Sequence, residues 1–457
     1  MQQRSSSGVS RRSSVAVEHM FYDHLSFVNY RATRASDPEW TYSPASVSER
    51  FNVVVIGAGQ AGLSVSHELT ELGVEHVVLE RGRVGQSWRD RWDSFCLVTP
   101  NWTVRLPGGA YDGNDPDGYM PRDDIVRHLE RYGRSFDAPV REGVDVTRLE
   151  RASDGSFLLQ TNHGEMRATA VVLTTGAYQK PHRPAAVGAL PRGLPVIDAE
   201  DYRNPEELRP GKVLIIGSGQ TGCQIAEELH EAGRDVYLAC GRASWLPRRL
   251  EGRDIVAWLA ETPFFEGTLA NLPSPLARFT ANVQNTGHGG GHDLHYRTLQ
   301  AMGVRLLGHF AAVDDERAVF ATDLADSVAF GDARHAEIRE TIAKSCAAQG
   351  RRAPNFPPVP AFEADPPGTI PLNDVGTVIV TSGFRPDYRS WTDFPDAFDD
   401  LGFPIHSDGA STVVPGLFFC GVHYLRKRKS SLFLGVGEDA AIVAGAVAAR
   451  LSAPASG

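Results

Sequence analysis

Residues 52–80, NVVVIGAGQAGLSVSHELTELGVEHVVLE, restrict the fold more than any other stretch of the chain. The apolar run 53–56 suits a strand buried on both faces of a parallel sheet. Gly57, Gly59 and Gly62 follow in G-x-G-x-x-G spacing, and a helical pattern carrying Leu63, Leu69 and Leu72 ends at Gly73. A second apolar run, 77–79, stops at Glu80, 23 residues after Gly57. Strand, helix, strand and acid in that order give the glycines their meaning. Gly57 permits the tight turn, Gly59 lets a pyrophosphate approach the backbone, and Gly62 lets the helix pack against the strand. The helix N-terminus then turns free N–H groups towards the phosphates, and Glu80 is spaced to hold ribose hydroxyls. The stretch reads as a dinucleotide cradle.

The cradle is repeated 160 residues on. The run 213–216 leads into Gly217, Ser218, Gly219, Gln220, Thr221 and Gly222, and Gly233 closes the helix as Gly73 does. Cys240 stands where the first unit has Glu80, and Arg242 comes two residues later. A carboxylate there repels a 2′-phosphate and a guanidinium holds one. The first unit is therefore expected to take a free ribose, as in FAD or NAD, and the second NADP.

A chain of 457 residues has room for two or three domains. Its net charge of −10 argues against nucleic acid as the main partner. No apolar run reaches the roughly 18 residues of a membrane span. Five dispersed cysteines (Cys96, Cys223, Cys240, Cys346, Cys420) include no C-x-x-C, so a redox-active dithiol is not expected and a reduced, cytoplasmic setting is.

Residues 1–50, rich in Ser and Arg, read as a disordered or mis-started segment, with a transit-like or partner-binding arm as the alternative. Beyond Glu80, Arg81, Trp88, Arg91 and Trp92 either cover a flavin ring or staple a surface loop. Helical periodicity runs over 123–132 and 253–260, and short strands alternate over 140–173 around a turn at Asp154 and Gly155. His292, Asp293 and His295 lie in a Gly/His-rich loop whose spacing fits no zinc pattern, so no metal is assigned; the loop lines a cleft or forms a structural turn. The proline-rich stretch 351–368 reads as a linker or extended cover leading back to the first domain. The basic run 425–431 is either a solvated loop or a holder for an anionic substrate or NADPH.

Over residues 51–449 the sequence resembles the flavin-containing monooxygenases, and most of all the YUCCA-like enzymes and bacterial FAD-dependent relatives. The likeness rests on both glycine units, L-E-R at 79–81, Gly85-x-x-Trp88, T-T-G at 174–176, T-S-G-F at 381–384, P-G-L-F-F-C-G at 415–421 and the start of the last helix at 435–440. It implies an α/β chain of two Rossmann-like domains, the NADPH domain inserted in the FAD domain. The expected boundaries are 51–207 and 375–452 for the FAD domain and 208–374 for the NADPH domain.

The resemblance further implies FAD contacts from the first unit (Gly57, Gly59, Gln60, Ala61, Gly62, Glu80, Arg81) and from Ser87, Trp88, Thr99, Val146, Thr175, Gly176, Gly421 and Gly437. NADPH contacts are implied from the second unit and from Arg242, Arg248, Ser382 and Gly383, and a place beside the flavin for Asn101. The implied activity inserts one oxygen atom of O2 into a small organic substrate through a C4a-(hydro)peroxyflavin. The family fingerprint between the two units is not kept: Arg192, Leu194 and Asp198 stand at its Phe, Gly and His positions, and only Tyr202 fits. An NADPH oxidase or reductase passing electrons to another acceptor is therefore the rival reading. Expected partners are the substrate and O2, with neither nucleic acid nor membrane; a homodimer is the assembly considered.

Overall fold

The computed structural model describes residues 49–280 and 282–452. The expectations for 1–48 fall outside these residues, while Glu49 and Arg50 already belong to the first strand, Glu49–Ile56.

The chain is α/β and carries two Rossmann-like units, one interrupting the other. The first sheet has a parallel core in the order Leu417–Phe419, Gly164–Leu173, Glu49–Ile56, His76–Glu80 and Val140–Glu142. An antiparallel meander, Val146–Arg151 and Phe157–Thr161, extends from Gly164–Leu173. The second sheet is parallel throughout: Val196–Asp198, Val375–Val380, Lys212–Ile216, Val236–Ala239 and Arg305–Leu307. Unbroken apolar runs form the central strands because both faces are covered, one by helices and the other by the meander and residues 388–403 in the first unit or by the small antiparallel sheet in the second; residues 53–56, 213–216 and 236–239 are buried without alternation. Gln60–Glu71 packs on the C-terminal helix, Val436–Ser452, so the last strand and helix complete the first unit.

The second sheet reaches beyond 208–374 on both sides. Val196–Asp198 and Val375–Val380 pair within it rather than with the first sheet. The crossing between units is made by Lys180–Pro181 and Phe384–Arg385, which pair antiparallel. The proline-rich stretch accordingly leads to Thr369–Pro371 of a small antiparallel sheet on the second unit, and not to the first unit. Proximity in sequence to T-S-G-F misled the boundary: an apolar strand carries no label for which of two parallel sheets it enters.

Candidate functional site

The two glycine turns are built alike. Gly57 has φ +106° and Gly217 φ +109°, in the region open to glycine. A Cβ on Gly62 would lie 1.8 Å from the Gly57 carbonyl oxygen, and one on Gly222 2.1 Å from that of Gly217. Each turn is braced from the adjacent strand end: the Thr174 hydroxyl donates to the Gly57 carbonyl (3.0 Å) and the Thr381 hydroxyl to that of Gly217 (2.6 Å). A Cβ on Gly59 would meet nothing within 4 Å. Gly59 faces open space at a helix N-terminus, the geometry of a phosphate cradle, and Gly219 holds the same N-cap position in the second unit.

A cleft of about 1360 Å³ runs from the first turn to the second unit. That exceeds the roughly 300–1,000 Å³ of a pocket for one drug-sized ligand, and so has room for a dinucleotide and more. Gly57, Gly59, Gln60, Ala61, Glu80, Arg81, Ser87, Trp88, Thr99, Val146, Thr175, Gly176 and Gly421 all line it. The buried Glu80 carboxylate accepts from the backbone N–H groups of Ala58 (2.8 Å) and Gly82 (3.0 Å), which fixes it at the strand end. Gln60 ties the cleft walls together, accepting from the Trp88 indole N–H (3.0 Å) and donating to the Ser431 carbonyl (3.2 Å). Trp88 stacks on Phe433 at 5.3 Å, so it forms cleft wall, whereas Trp92 is buried against Phe95.

Of the second unit, Gln220 reaches this cleft, with Ser244, Phe330 and Arg334 beside it. Gly217, Ser218, Gly219, Thr221 and Gly222 lie off it. The Ser218 hydroxyl is engaged by the Tyr296 hydroxyl (2.5 Å) and the Gly241 N–H (2.8 Å), and Gln220 donates to the carbonyl of Asn285 (3.2 Å). Arg242 is exposed and lies over the Phe330 ring, and Arg334 lies over the same ring. The Ser382 hydroxyl donates to the Ile216 carbonyl (3.1 Å) and braces the turn from behind, while the Gly383 carbonyl accepts from the His182 N–H (2.9 Å).

Three of the expected site residues are engaged by other parts of the chain. Arg248 is 1% exposed, with its guanidinium on Asp254 (2.5 and 2.8 Å) and on the carbonyl of Val98 (2.8 Å). Tyr119 also donates to Asp254 and lies under the guanidinium. Arg248 borders the cleft, and a charge satisfied in this way joins three chain segments. Asn101 spends both ends of its amide on backbone, donating to the Asp115 carbonyl (2.9 Å) and accepting from the Met120 N–H (2.7 Å). It staples a loop and does not line the cleft; Thr99 does. Gly437 packs on Pro107 inside the last helix, and Ser431, Leu432 and Phe433 line the cleft before it.

The Gly/His loop is likewise committed internally. His292 bonds Glu227 (2.5 Å), which raises its pKa; Asp293 accepts from the Arg248 N–H (2.5 Å). His295 packs on Trp245 at 4.4 Å, and burial pulls it down to about 4. Its neighbours Asn282, Val283 and Asn285 supply cleft wall. In the basic run, Arg426 pairs with Asp408 and Asp439, and Lys427 and Lys429 with Glu266 and Glu438. Asp198 holds Arg183 through two bonds of 2.8 and 2.9 Å. Sequence reasoning missed Tyr178, Phe264 and His423 as cleft residues; they lie in loops with no periodic pattern to place them.

The pyridine nucleotide-disulphide oxidoreductase family matches residues 54–271. An uncharacterized CzcO-like oxidoreductase of Geobacillus kaustophilus is 30% identical over 391 residues, 85% of this chain and 96% of that relative. The chain belongs to the family of this CzcO-like oxidoreductase. A probable indole-3-pyruvate monooxygenase, YUCCA1 of Arabidopsis thaliana, is 27% identical over 205 residues, 44% of this chain and 49% of that protein. A flavin-containing monooxygenase from Stenotrophomonas maltophilia shares the fold with a TM-score of 0.62 at 18% identity, covering 88% of this chain and all of that one. The chain is thus an oxidoreductase, an enzyme with flavin monooxygenases among its sequence relatives and fold neighbours. Among the described residues no helix is long and apolar enough to cross a membrane.

Proposed function

We propose that the oxidoreductase is an FAD- and NADPH-dependent monooxygenase acting on a small organic molecule with O2. One observation carries the reading: a single cleft joins the first cradle to the second unit, with Glu80 at one end and Gln220 and Ser244 towards the other. The open space over Gly59 fits a pyrophosphate, and the fixed Glu80 carboxylate fits ribose hydroxyls. Bound FAD would supply hydride acceptance from NADPH and activation of O2. The protein's own work is then placement and the exclusion of water. Trp88 and Phe433 wall the cleft, and the Gln60 bonds to Trp88 and Ser431 hold that wall shut. Arg242, free of any ion pair among the described residues, is the cation placed to select NADPH. Kinship with a YUCCA enzyme supports oxygenation over plain electron transfer.

The rival, an NADPH oxidase or reductase, draws on Asp198, which spends its carboxylate on Arg183 at the fingerprint's histidine position. A disulfide reductase with its own dithiol draws no support: all five cysteines are free and buried. The test is the absorption spectrum of the purified protein, followed by NADPH consumption in air with peroxide counted. Yellow protein that couples NADPH use to an added substrate is expected. Steady peroxide release whatever is added would favour the rival, and a protein that stays colourless with excess FAD would overturn both.

A further inference from the structure

Away from the glycine turns, part of the cleft forms a chamber lined by residues of neither glycine unit. Its walls carry an apolar set, Ile255, Val256 and Leu259 from the helix Ile255–Ala260, Phe264 from the loop after it, Ile338 from the helix Leu324–Ala348, and Leu432, with Glu266, Glu337 and Thr341 among the polar residues beside it. Into this wall Arg428 is set, half-buried and lining the cleft. Its guanidinium lies 4.4 Å from the centre of the Phe264 ring and 5.1 Å from that of Tyr424. Tyr424 holds φ +57°, a conformation that a tyrosine adopts only when its surroundings impose it.

The charge of Arg428 differs from that of its neighbours. Arg426, Lys427 and Lys429 all carry carboxylate partners; Arg428 has no ion pair among the described residues. The acids on the chamber segments are already neutralised, Glu266 by Lys427 and Lys429 at 2.6 Å each and Glu337 by Arg334. A guanidinium taken out of water between two rings without a counter-charge is costly, and an anion arriving there removes that cost. A cationic amine would meet the opposite balance.

We infer that this chamber is the substrate site and that it takes a molecule with an apolar body and one carboxylate, the carboxylate on Arg428. The inference rests on the monooxygenase reading for the chamber's purpose, yet it concerns binding and is tested without turnover.

Calorimetry on the FAD-loaded full chain with three matched probes, 4-phenylbutyrate, 4-phenylbutanol and 4-phenylbutylamine, decides it. The carboxylate is expected to bind at least about tenfold more tightly than the alcohol, and the amine most weakly of the three. Arg428→Gln should remove the advantage of the carboxylate and leave the affinity for the alcohol within about twofold. Alcohol and carboxylate binding alike, or the amine binding best, would overturn the inference. So would an Arg428→Gln protein whose affinity for NADP⁺ falls as far as its affinity for phenylbutyrate, since the guanidinium would then serve the cofactor. If that variant does not fold, Arg428→Lys keeps the charge, and the ranking of the three probes on the unaltered protein still decides. Discrimination among probes in a protein that only releases peroxide would overturn the monooxygenase reading and keep the site; coupled oxygenation without discrimination would do the reverse.

Discussion

The two glycine turns match atom for atom in their bracing and part company in what surrounds them. In the first, the acid at the end of the second strand is locked by two backbone N–H groups and opens on the cleft. In the second, the matching position is Cys240, buried and pushed above its ordinary pKa by desolvation, and the nearby cation Arg242 stands in solvent. A cradle's shape is set by backbone and close packing, which repeat; its choice of ribose is set by one or two side chains, which do not.

The largest effect expected from breaking this comparison is at Arg248. Were it part of the second cradle, Arg248→Met would cost NADPH preference. Because it is the buried partner of Asp254, the loss is expected in stability, about 3–5 kcal/mol in denaturant unfolding, with NADPH preference kept in whatever folds. Next come the close-packed glycines. Gly62→Ala and Gly222→Ala each drive a methyl group into a carbonyl, and each should cost about 1–3 kcal/mol or more; a near-neutral result at either would show that the turns are not equivalent. The middle glycines then separate the ligands. Gly59→Val should yield colourless, folded protein, and Gly219→Val a yellow protein whose flavin NADPH no longer reduces; a yellow Gly59→Val would remove FAD from the first cradle.

Smaller effects sharpen the picture. Arg242→Ala is expected to cut the NADPH over NADH preference by about tenfold to a hundredfold, read from kcat/KM; equal use of both by the unaltered enzyme would sink the assignment. A further effect is with pH. Burial holds His295 at about 4 against an ordinary 6.5, so the unfolded chain binds its proton first. Stability from this group is therefore complete above pH 6.5 and falls between 6.5 and 4, by at most about 1.4 kcal/mol per pH unit. His295→Gln should flatten that acid limb of the Tm profile; an unchanged limb would assign it to other groups.

Both glycine turns, the helices Arg122–Ser135 and Ile255–Ala260 and the contrast between Glu80 and Cys240 were legible in the chain. They depend on spacing within about thirty residues, where apolar period and glycine position speak directly. The domain boundaries were not, because the apolar strand at 375–380 suits either sheet. Nor was the division among arginines. Arg248 and Arg428 look alike in a string of letters, each inside a basic cluster, and only the fold supplies Asp254 and Tyr119 to one and leaves the other facing the cleft with two aromatic rings.

The sequence by itself thus determined that there are two glycine turns of one kind, each between a buried strand and a helix, and that the first unit ends in Glu80 and the second in Cys240, since those properties are local. The tertiary structure alone decided which charges are spent and which are free, and that residues as far apart as Gln60 and Ser431 close one wall. Burial and ion pairing are made by segments that meet only when the chain has folded, and no local pattern carries them.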